Sequence, residues 1–140
     1  MKSNGRPEGL NHVHITVPIE KLDEARVFYL DVMGLTEAPK LEELKVYPGF
    51  WVQLDGLQLH VGGEDTAVNR WESGAHLSIE VADVNDLNAR RARLEAAGIA
   101  IREMVFYPGY DRFEFRDPFG NRMELITPAG SVRKAGEAAR

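Results

Sequence analysis

The sequence repeats itself once. A shift of 64 residues places LNHVHITV (10–17) on GAHLSIEV (74–81), so that His12 falls on His76. A repeat of about 65 residues in a chain of this length predicts two copies of one module, and it excludes a solenoid of many short units.

The far end of each half carries the same kind of match. LQLHV (57–61) meets MELIT (123–127), and this overlay sets Gln58 opposite Glu124. The two halves therefore each begin with a histidine-bearing segment and end with a segment that carries an amide or a carboxylate.

Hydrophobic periodicity gives each half the order strand, helix and three strands. Alternation with a period of two residues predicts strands, and apolar residues three and four positions apart predict helices. The elements predicted for the first half are a strand at 10–17, a helix at 22–33, a weak strand at 41–47 and strands at 50–54 and 57–61. Those predicted for the second half are a strand at 75–81, a helix from 83 to about 97 and strands at 100–105, 112–116 and 122–127. We therefore predict an α+β fold of two βαβββ modules, residues 10–63 and 74–128, with loose tails at 1–9 and 129–140.

Turn residues fix several boundaries. Gly34 and Gly98 stand where the two helices should end, and Asp83 is a good N-cap for the second helix. Asp55-Gly56 suits a two-residue type I′ hairpin. In that register Trp51 faces His60 and Gln53 faces Gln58, so these four side chains share one face of the sheet.

Composition narrows the class of protein. The chain has 140 residues and a net charge of −5, which argues against nucleic acid as its main partner. It has no apolar run of membrane-spanning length, and its first residues lack the apolar segment of a secretory signal. With no cysteine there is no disulfide, thiolate zinc site or thiol nucleophile. We predict a cytoplasmic protein without membrane contact, in which any metal is held by His, carboxylate or amide groups.

Three segments, LNHVHITV, AHLSIEV and DPFGNRMELI, resemble the vicinal oxygen chelate superfamily across residues 10–127. This group includes glyoxalase I, methylmalonyl-CoA epimerase, extradiol dioxygenases, fosfomycin-resistance transferases and bleomycin-resistance proteins. The resemblance implies that the strands of the two modules curl into a cup-shaped mixed sheet around a divalent metal ion. It also implies a homodimer, and in some members one metal takes ligands from two chains.

The metal positions of the superfamily carry over to four residues. They are His12, His76, Glu124 and, as a departure from the Glu of bacterial glyoxalase I, Gln58. A set of two His, one Gln and one Glu is similar to that of the epimerase. His60, two residues further along the same face, is the alternative fourth ligand. Imidazole and carboxylate ligands with open positions suit Fe, Mn, Ni, Co or Zn.

Other polar residues on these faces are candidates for catalysis or substrate binding. His60 has a side chain that titrates near neutrality, so it is a candidate proton carrier beside Glu124. Strand alternation places Glu114 on the face of Glu124, where a solvent-exposed ion pair is the ordinary interpretation. The predicted substrate contacts are Trp51 as a wall, Arg112 or Arg116 as a clamp for a carboxylate, Glu114, and Tyr110 at the rim turn Pro108-Gly109.

This ligand set suits a metal that binds two neighbouring oxygens of a small metabolite and stabilises an enolate-like charge. We therefore predict a lyase or isomerase of the glyoxalase or epimerase type. One alternative is an extradiol-type dioxygenase that uses His12, His76 and Glu124, although those enzymes commonly carry four modules. Another is a protein that sequesters a drug without metal chemistry, although such members lack these ligands. A metal that is bound only for structure is a further possibility.

Overall fold

The computed structural model describes residue 5, residues 7–65 and residues 67–133. Each half forms one four-stranded mixed sheet, which confirms the predicted α+β class and the two modules. The first module contains β1 (His12–Pro18), α1 (Leu22–Arg26), β2 (Thr36–Ala38), β3 (Gly49–Gln53) and β4 (Gln58–Glu64). The second contains β5 (His76–Glu80), α2 (Val84–Ala96), β6 (Arg102–Glu103), β7 (Tyr110–Arg116) and β8 (Arg122–Pro128). The predicted tails fall partly outside the described residues, at 1–4, 6 and 134–140.

The two sheets have the same topology. The first sheet has the order β1-β4-β3-β2 and the second has the order β5-β8-β7-β6. In each sheet the first and last strands of the module pair in parallel and the other pairs are antiparallel. Among the described residues, no helix has the length and apolar character needed to cross a bilayer.

The helix boundaries follow from the predicted caps. Helix α1 continues into a π-helical turn at Val27–Val32, and Gly34 follows it at a φ of 69°. The N-cap side chain of Asp83 accepts a hydrogen bond of 2.8 Å from the backbone N–H of Asp86, and Gly98 lies beyond the end of α2 at a φ of 81°. These positive φ values are costly for other residues, so both glycines serve as helix stops.

Two predicted strands differ in the structure. The weak strand at 41–47 is wrong, because this stretch forms a 3₁₀ turn at Glu42–Leu44 followed by irregular backbone. Its apolar residues Val46 and Tyr47 are exposed, so their alternation does not mark a buried sheet face. The edge strand is β2 instead, which pairs Ala38 with Trp51 of β3. The strand predicted at 100–105 is reduced to the two residues of β6.

One hydrophobic core joins the two modules. Phe28 of the first module lies 6.4 Å from Phe115 of the second, measured between ring centroids, and both are almost completely buried. Tyr29 beside them is fully buried and donates a hydrogen bond of 2.5 Å to the carboxylate of Asp117. Burial and the neighbouring Asp117 raise the pKa of Tyr29 well above its ordinary value.

Asp117 connects the modules as a buried acceptor. Besides the Tyr29 hydroxyl, it accepts hydrogen bonds from the backbone N–H of Phe119 and from both the backbone and the side-chain amide of Asn121. The Asn121 amide also donates to the carbonyl of Thr16, at 2.9 Å, in the other module. The segment Asp117–Asn121 is therefore structural, and it holds β8 against the first module.

We predict that Asp117→Ala lowers the free energy of unfolding by about 3–5 kcal/mol, because it removes the acceptor of four donors, of which the Tyr29 hydroxyl and the Phe119 N–H are buried. The measurement is chemical denaturation followed by circular dichroism. Asp23→Ala is the control: this exposed carboxyl should matter by only about 0.5 kcal/mol. Equal effects of the two substitutions would show that Asp117 does not hold the modules together.

Candidate functional site

Strand register shows which residues of the two modules are equivalent. His12 pairs with Gln58 and His14 with His60 along β1 and β4. His76 pairs with Arg122 and Ser78 with Glu124 along β5 and β8. The shift of 64 residues therefore holds along both strand pairs, so the counterpart of Glu124 is His60 and the counterpart of Gln58 is Arg122.

The sequence overlay of Gln58 on Glu124 is thus wrong by two residues. A displacement of two residues along a strand keeps every side chain on its face, so periodicity alone does not detect it. The predicted pairings of Trp51 with His60 and of Gln53 with Gln58 are confirmed.

Three rings stack across the first sheet. The ring of His60 lies between those of Trp51 and His12, with a centroid separation of 4.2 Å on each side. His14 meets His60 edge-on at 6.3 Å. Burial is the largest of the effects that lower the pKa of His60 to about 4. The charges of His12, His14 and Lys40 act in the same direction. His60 is therefore a neutral imidazole at pH 7.

A chain of hydrogen bonds fixes the proton on His60. The Gln53 Nε2 donates to the Leu54 carbonyl at 2.8 Å, so Gln53 Oε1 is free to accept a hydrogen bond of 3.1 Å from Gln58 Nε2. Gln58 Oε1 then lies 3.0 Å from His60 Nε2 and accepts a hydrogen bond from its N–H. This arrangement leaves the lone pair of His60 on Nδ1, and it uses one of the two lone pairs of the Gln58 oxygen to orient the ring.

His12 and His76 are held in a similar way. His76 Nδ1 donates to the Gly74 carbonyl at 3.0 Å, and His12 Nδ1 lies 2.9 Å from Asn11 Oδ1. The described residues offer no hydrogen-bond partner to Nε2 of either ring. Histidines that bind metals usually donate their other ring N–H to such an acceptor, which orients the imidazole. Both rings are exposed and suited to ligation through Nε2.

Glu124 lies on the second sheet, where it is buried and tightly held. Its two oxygens accept hydrogen bonds of 2.7 Å, one from the Ser78 hydroxyl and one from Arg112 Nη1. Arg112 also donates to the Val105 carbonyl at 3.2 Å and lies over the ring of Tyr107. The guanidinium predicted to clamp a substrate carboxylate is therefore engaged with Glu124.

Glu114 is the second buried carboxylate on this face. Glu114 is the cross-strand neighbour of Glu124 in the sheet register. Arg122 Nη2 lies 2.6 Å from Oε2 of Glu114. Arg102 lies 3.7 Å from its other oxygen. Arginine side chains thus neutralise both carboxylates, so Glu114 is part of an ion-pair network beside Glu124.

The remaining predicted contacts are divided between the site and the scaffold. Tyr110 stacks on Tyr107 at 5.0 Å and is 40% exposed, at the rim turn. Arg116 is engaged by the backbone carbonyls of Arg70, Ser73 and Gly120, which makes it structural. Sequence reasoning missed Ser78 and Arg122. The two-residue alternation places Ser78 on the face of His76 and Arg122 on the face of Glu124. This shared face was the signal by which both residues could have been found.

The candidate ligands do not converge within one chain. His12, Gln58 and His60 lie on the first sheet, and His76 and Glu124 lie on the second. In the part of the chain that the structure describes, no three His, Asp or Glu side chains are close enough to hold a metal ion. The predicted metal ligands are therefore divided between the two sheets.

The sequence matches a known family over most of its length. The model of the Glyoxalase/Bleomycin resistance protein/Dioxygenase superfamily matches residues 10–125. The chain belongs to this superfamily. No curated protein matches it significantly.

Solved structures support this membership. A glyoxalase family protein from Bacillus anthracis is 30% identical, with a TM-score of 0.77, and the match covers 89% of this chain and 98% of that one. Lactoylglutathione lyase from Agrobacterium tumefaciens is 23% identical, with a TM-score of 0.63 and coverage of 86% and 94%. The fosfomycin resistance protein FosX from Listeria monocytogenes is 16% identical, with a TM-score of 0.69 and coverage of 89% and 97%. The last two share the fold of this superfamily member.

We predict that, in metal-free protein, His60 titrates near pH 4, because its stacked position favours the neutral ring. The measurement is an NMR titration of the four histidines, with His60→Gln to assign the signal. Trp51→Leu uncovers one face of the ring and should move the pKa of His60 upward, toward 6.5. A pKa of His60 near 6.5 in the unmodified protein would contradict the stacked arrangement.

Proposed function

We propose that this protein is a divalent-metal-dependent lyase or isomerase of the vicinal oxygen chelate superfamily, acting on a small metabolite with two adjacent oxygens. The metal would be held by His12, His60, His76 and Glu124. One observation carries the proposal: each of the three imidazoles has one ring nitrogen beside a hydrogen-bond acceptor and keeps a lone pair on the other. Neutral imidazoles of this kind, together with a carboxylate, suit a first-row divalent metal.

His60 is favoured over Gln58 as the fourth ligand. Register makes His60 the counterpart of Glu124, whereas Gln58 corresponds to Arg122. The Gln58 oxygen accepts a hydrogen bond from the Nε2–H group of His60. Gln58 thereby positions the ring, whose Nδ1 is available to a metal. In this arrangement Gln58 supports the ligand without touching the metal.

The site would be shared between two copies of the chain. The donors lie on two different sheets, and those of one chain do not converge. A homodimer that joins the first sheet of one copy to the second sheet of the other would bring His12 and His60 beside His76 and Glu124. FosX, which has the same fold, has been solved with Mn(II) and a sulfate ion.

When bound, the metal would supply a Lewis acid at two neighbouring substrate oxygens. The chain's own residues would do the rest of the chemistry. Ser78 and Arg112 hold both oxygens of Glu124 in place. The indole of Trp51 covers His60 and excludes water from one side of it. Because a lone pair that binds a metal cannot also accept a proton, we assign proton transfer to Glu124, whose carboxylate has a second oxygen besides the one that would bind the metal.

We predict that purified protein binds about one equivalent of a first-row divalent metal per chain, and that His12→Ala and Glu124→Ala each abolish this binding. The measurement is elemental analysis after dialysis against Mn, Fe, Co, Ni or Zn. His14→Ala is the matched control, since His14 lies on the same strand outside the donor set and should leave the metal content unchanged. Unmodified protein that takes up none of these ions would overturn the proposal in favour of a sequestration protein. Oxygen consumption by the Fe(II) form would favour the dioxygenase alternative.

We predict that mixing the two inactive variants restores binding. In a mixed dimer of His12→Ala and Glu124→Ala, one shared site carries both substitutions and the other carries neither. Metal content should therefore recover when the two variants are unfolded and refolded together, and it should not recover when each is refolded alone. If the mixture stays metal-free although mixed dimers form, the site lies within one chain.

A further inference from the structure

A cavity lies on the first sheet beside a pair of facing glycines. Gly49 and Gly62 are cross-strand partners, and they lie on the same face as the neighbouring Trp51–His60 pair. Both glycines line a half-open cavity of about 180 Å³. A Cβ atom on Gly62 would lie 2.5 Å from Nε2 of His14, so glycine at this position lets the His14 ring lie against the strand at the cavity wall.

The second module carries side chains at the equivalent place. The strand pair that corresponds to Gly49 and Gly62 is Arg112 and Ile126. There the side chain of Arg112 crosses the face to reach Glu124. The repeat therefore has glycines at this strand-pair position in the first module and an arginine and an isoleucine in the second.

The cavity combines apolar walls with one cation. Its apolar lining comes from Leu44, Tyr47, Pro48, Phe50, Trp51 and Val61. The other lining side chains are His14, His60 and Lys40, and none of the described lining residues is Asp or Glu. The half-buried ammonium of Lys40 donates to the Tyr47 carbonyl, which fixes it at the cavity. Two of its three protons remain for a ligand.

We propose that this cavity receives the body of the substrate, and that the substrate is a small molecule with a short apolar chain and an anionic end that pairs with Lys40. The inference rests on the proposed function because His60 lines both the cavity and the metal position. Its size decides the class, since pockets for drug-sized ligands usually span roughly 300–1,000 Å³. A cavity of about 180 Å³ encloses only a few carbon atoms and an acid group.

The probes are hexanoate, hexanamide and hexylamine, which share a chain length and differ in charge. Binding is measured on metal-free protein in EDTA, from the indole N–H signals of the two tryptophans in ¹H–¹⁵N NMR spectra. Trp51 lines the cavity, whereas Trp71 packs on Gly120 and serves as the internal control. Trp71→Phe assigns the two signals. We expect hexanoate to shift the Trp51 signal alone, hexanamide to bind about tenfold more weakly, and hexylamine not to bind.

Substitutions test each part of the site. Lys40→Gln should weaken hexanoate binding about tenfold and leave hexanamide unchanged, because only the charge is lost. Lys21→Gln is the control: it removes the same charge from an exposed lysine that pairs with Glu24 away from this cavity, and it should have no effect. Gly62→Ala should weaken hexanoate and hexanamide alike, because its methyl group would displace the His14 ring that lines the cavity. Thermal denaturation shows that each variant is folded.

The proposal is overturned if hexanoate and hexanamide bind equally, if neither shifts Trp51, or if Lys21→Gln acts like Lys40→Gln. Since all measurements are made without metal, failure of the metal-binding proposal would leave this test unaffected. Conversely, a protein that binds one metal per chain but ignores hexanoate would retain the proposed function and lose this substrate class.

Discussion

Parallel pairing between the first and last strands of each module determines where every candidate ligand lies. Parallel neighbours require a long crossover connection, so residues far apart in sequence, such as His12 and Gln58, come to lie side by side. The second module repeats the same register, which places Ser78 beside Glu124. Because the backbone geometry is the same, an imidazole at position 60 and a carboxylate at position 124 occupy equivalent places. The module fixes the positions, and the side chains set the chemistry.

The two sheets differ in electrostatic character. The first carries the imidazoles of His12 and His60, with His60 stacked on an indole, and the second carries carboxylates compensated by arginines. Desolvated carboxylates are costly unless they are paired, so Arg112 stabilises Glu124 as long as no metal is present. In the proposed site, a metal that approached Glu124 would meet a carboxylate that is already oriented, and it would share this group with a guanidinium. Arg112 would therefore influence metal affinity together with the proposed ligands.

Local signals in the sequence predicted most of the fold and the faces on which the site lies. Asp55-Gly56 set the hairpin register, and Gly34 and Asp83 set helix ends, since each depends only on its neighbours in sequence. The offset between Gln58 and Glu124 could not be read this way, because strand register depends on pairing across the chain. Nor could periodicity show that the ligands of one chain stay apart, since it carries no information on how two sheets are placed.

The difference between the modules is as informative as their similarity. A duplicated unit begins with equal residues at equivalent places, and the glycine pair Gly49–Gly62 now stands where the second module has Arg112 and Ile126. Filling the position in the second module gave Glu124 its cationic partner. In the first module this position carries glycines, and they line the cavity beside His60. Under the proposed function, one module would hold the carboxylate and the other would admit a substrate, so neither half alone would provide a complete site.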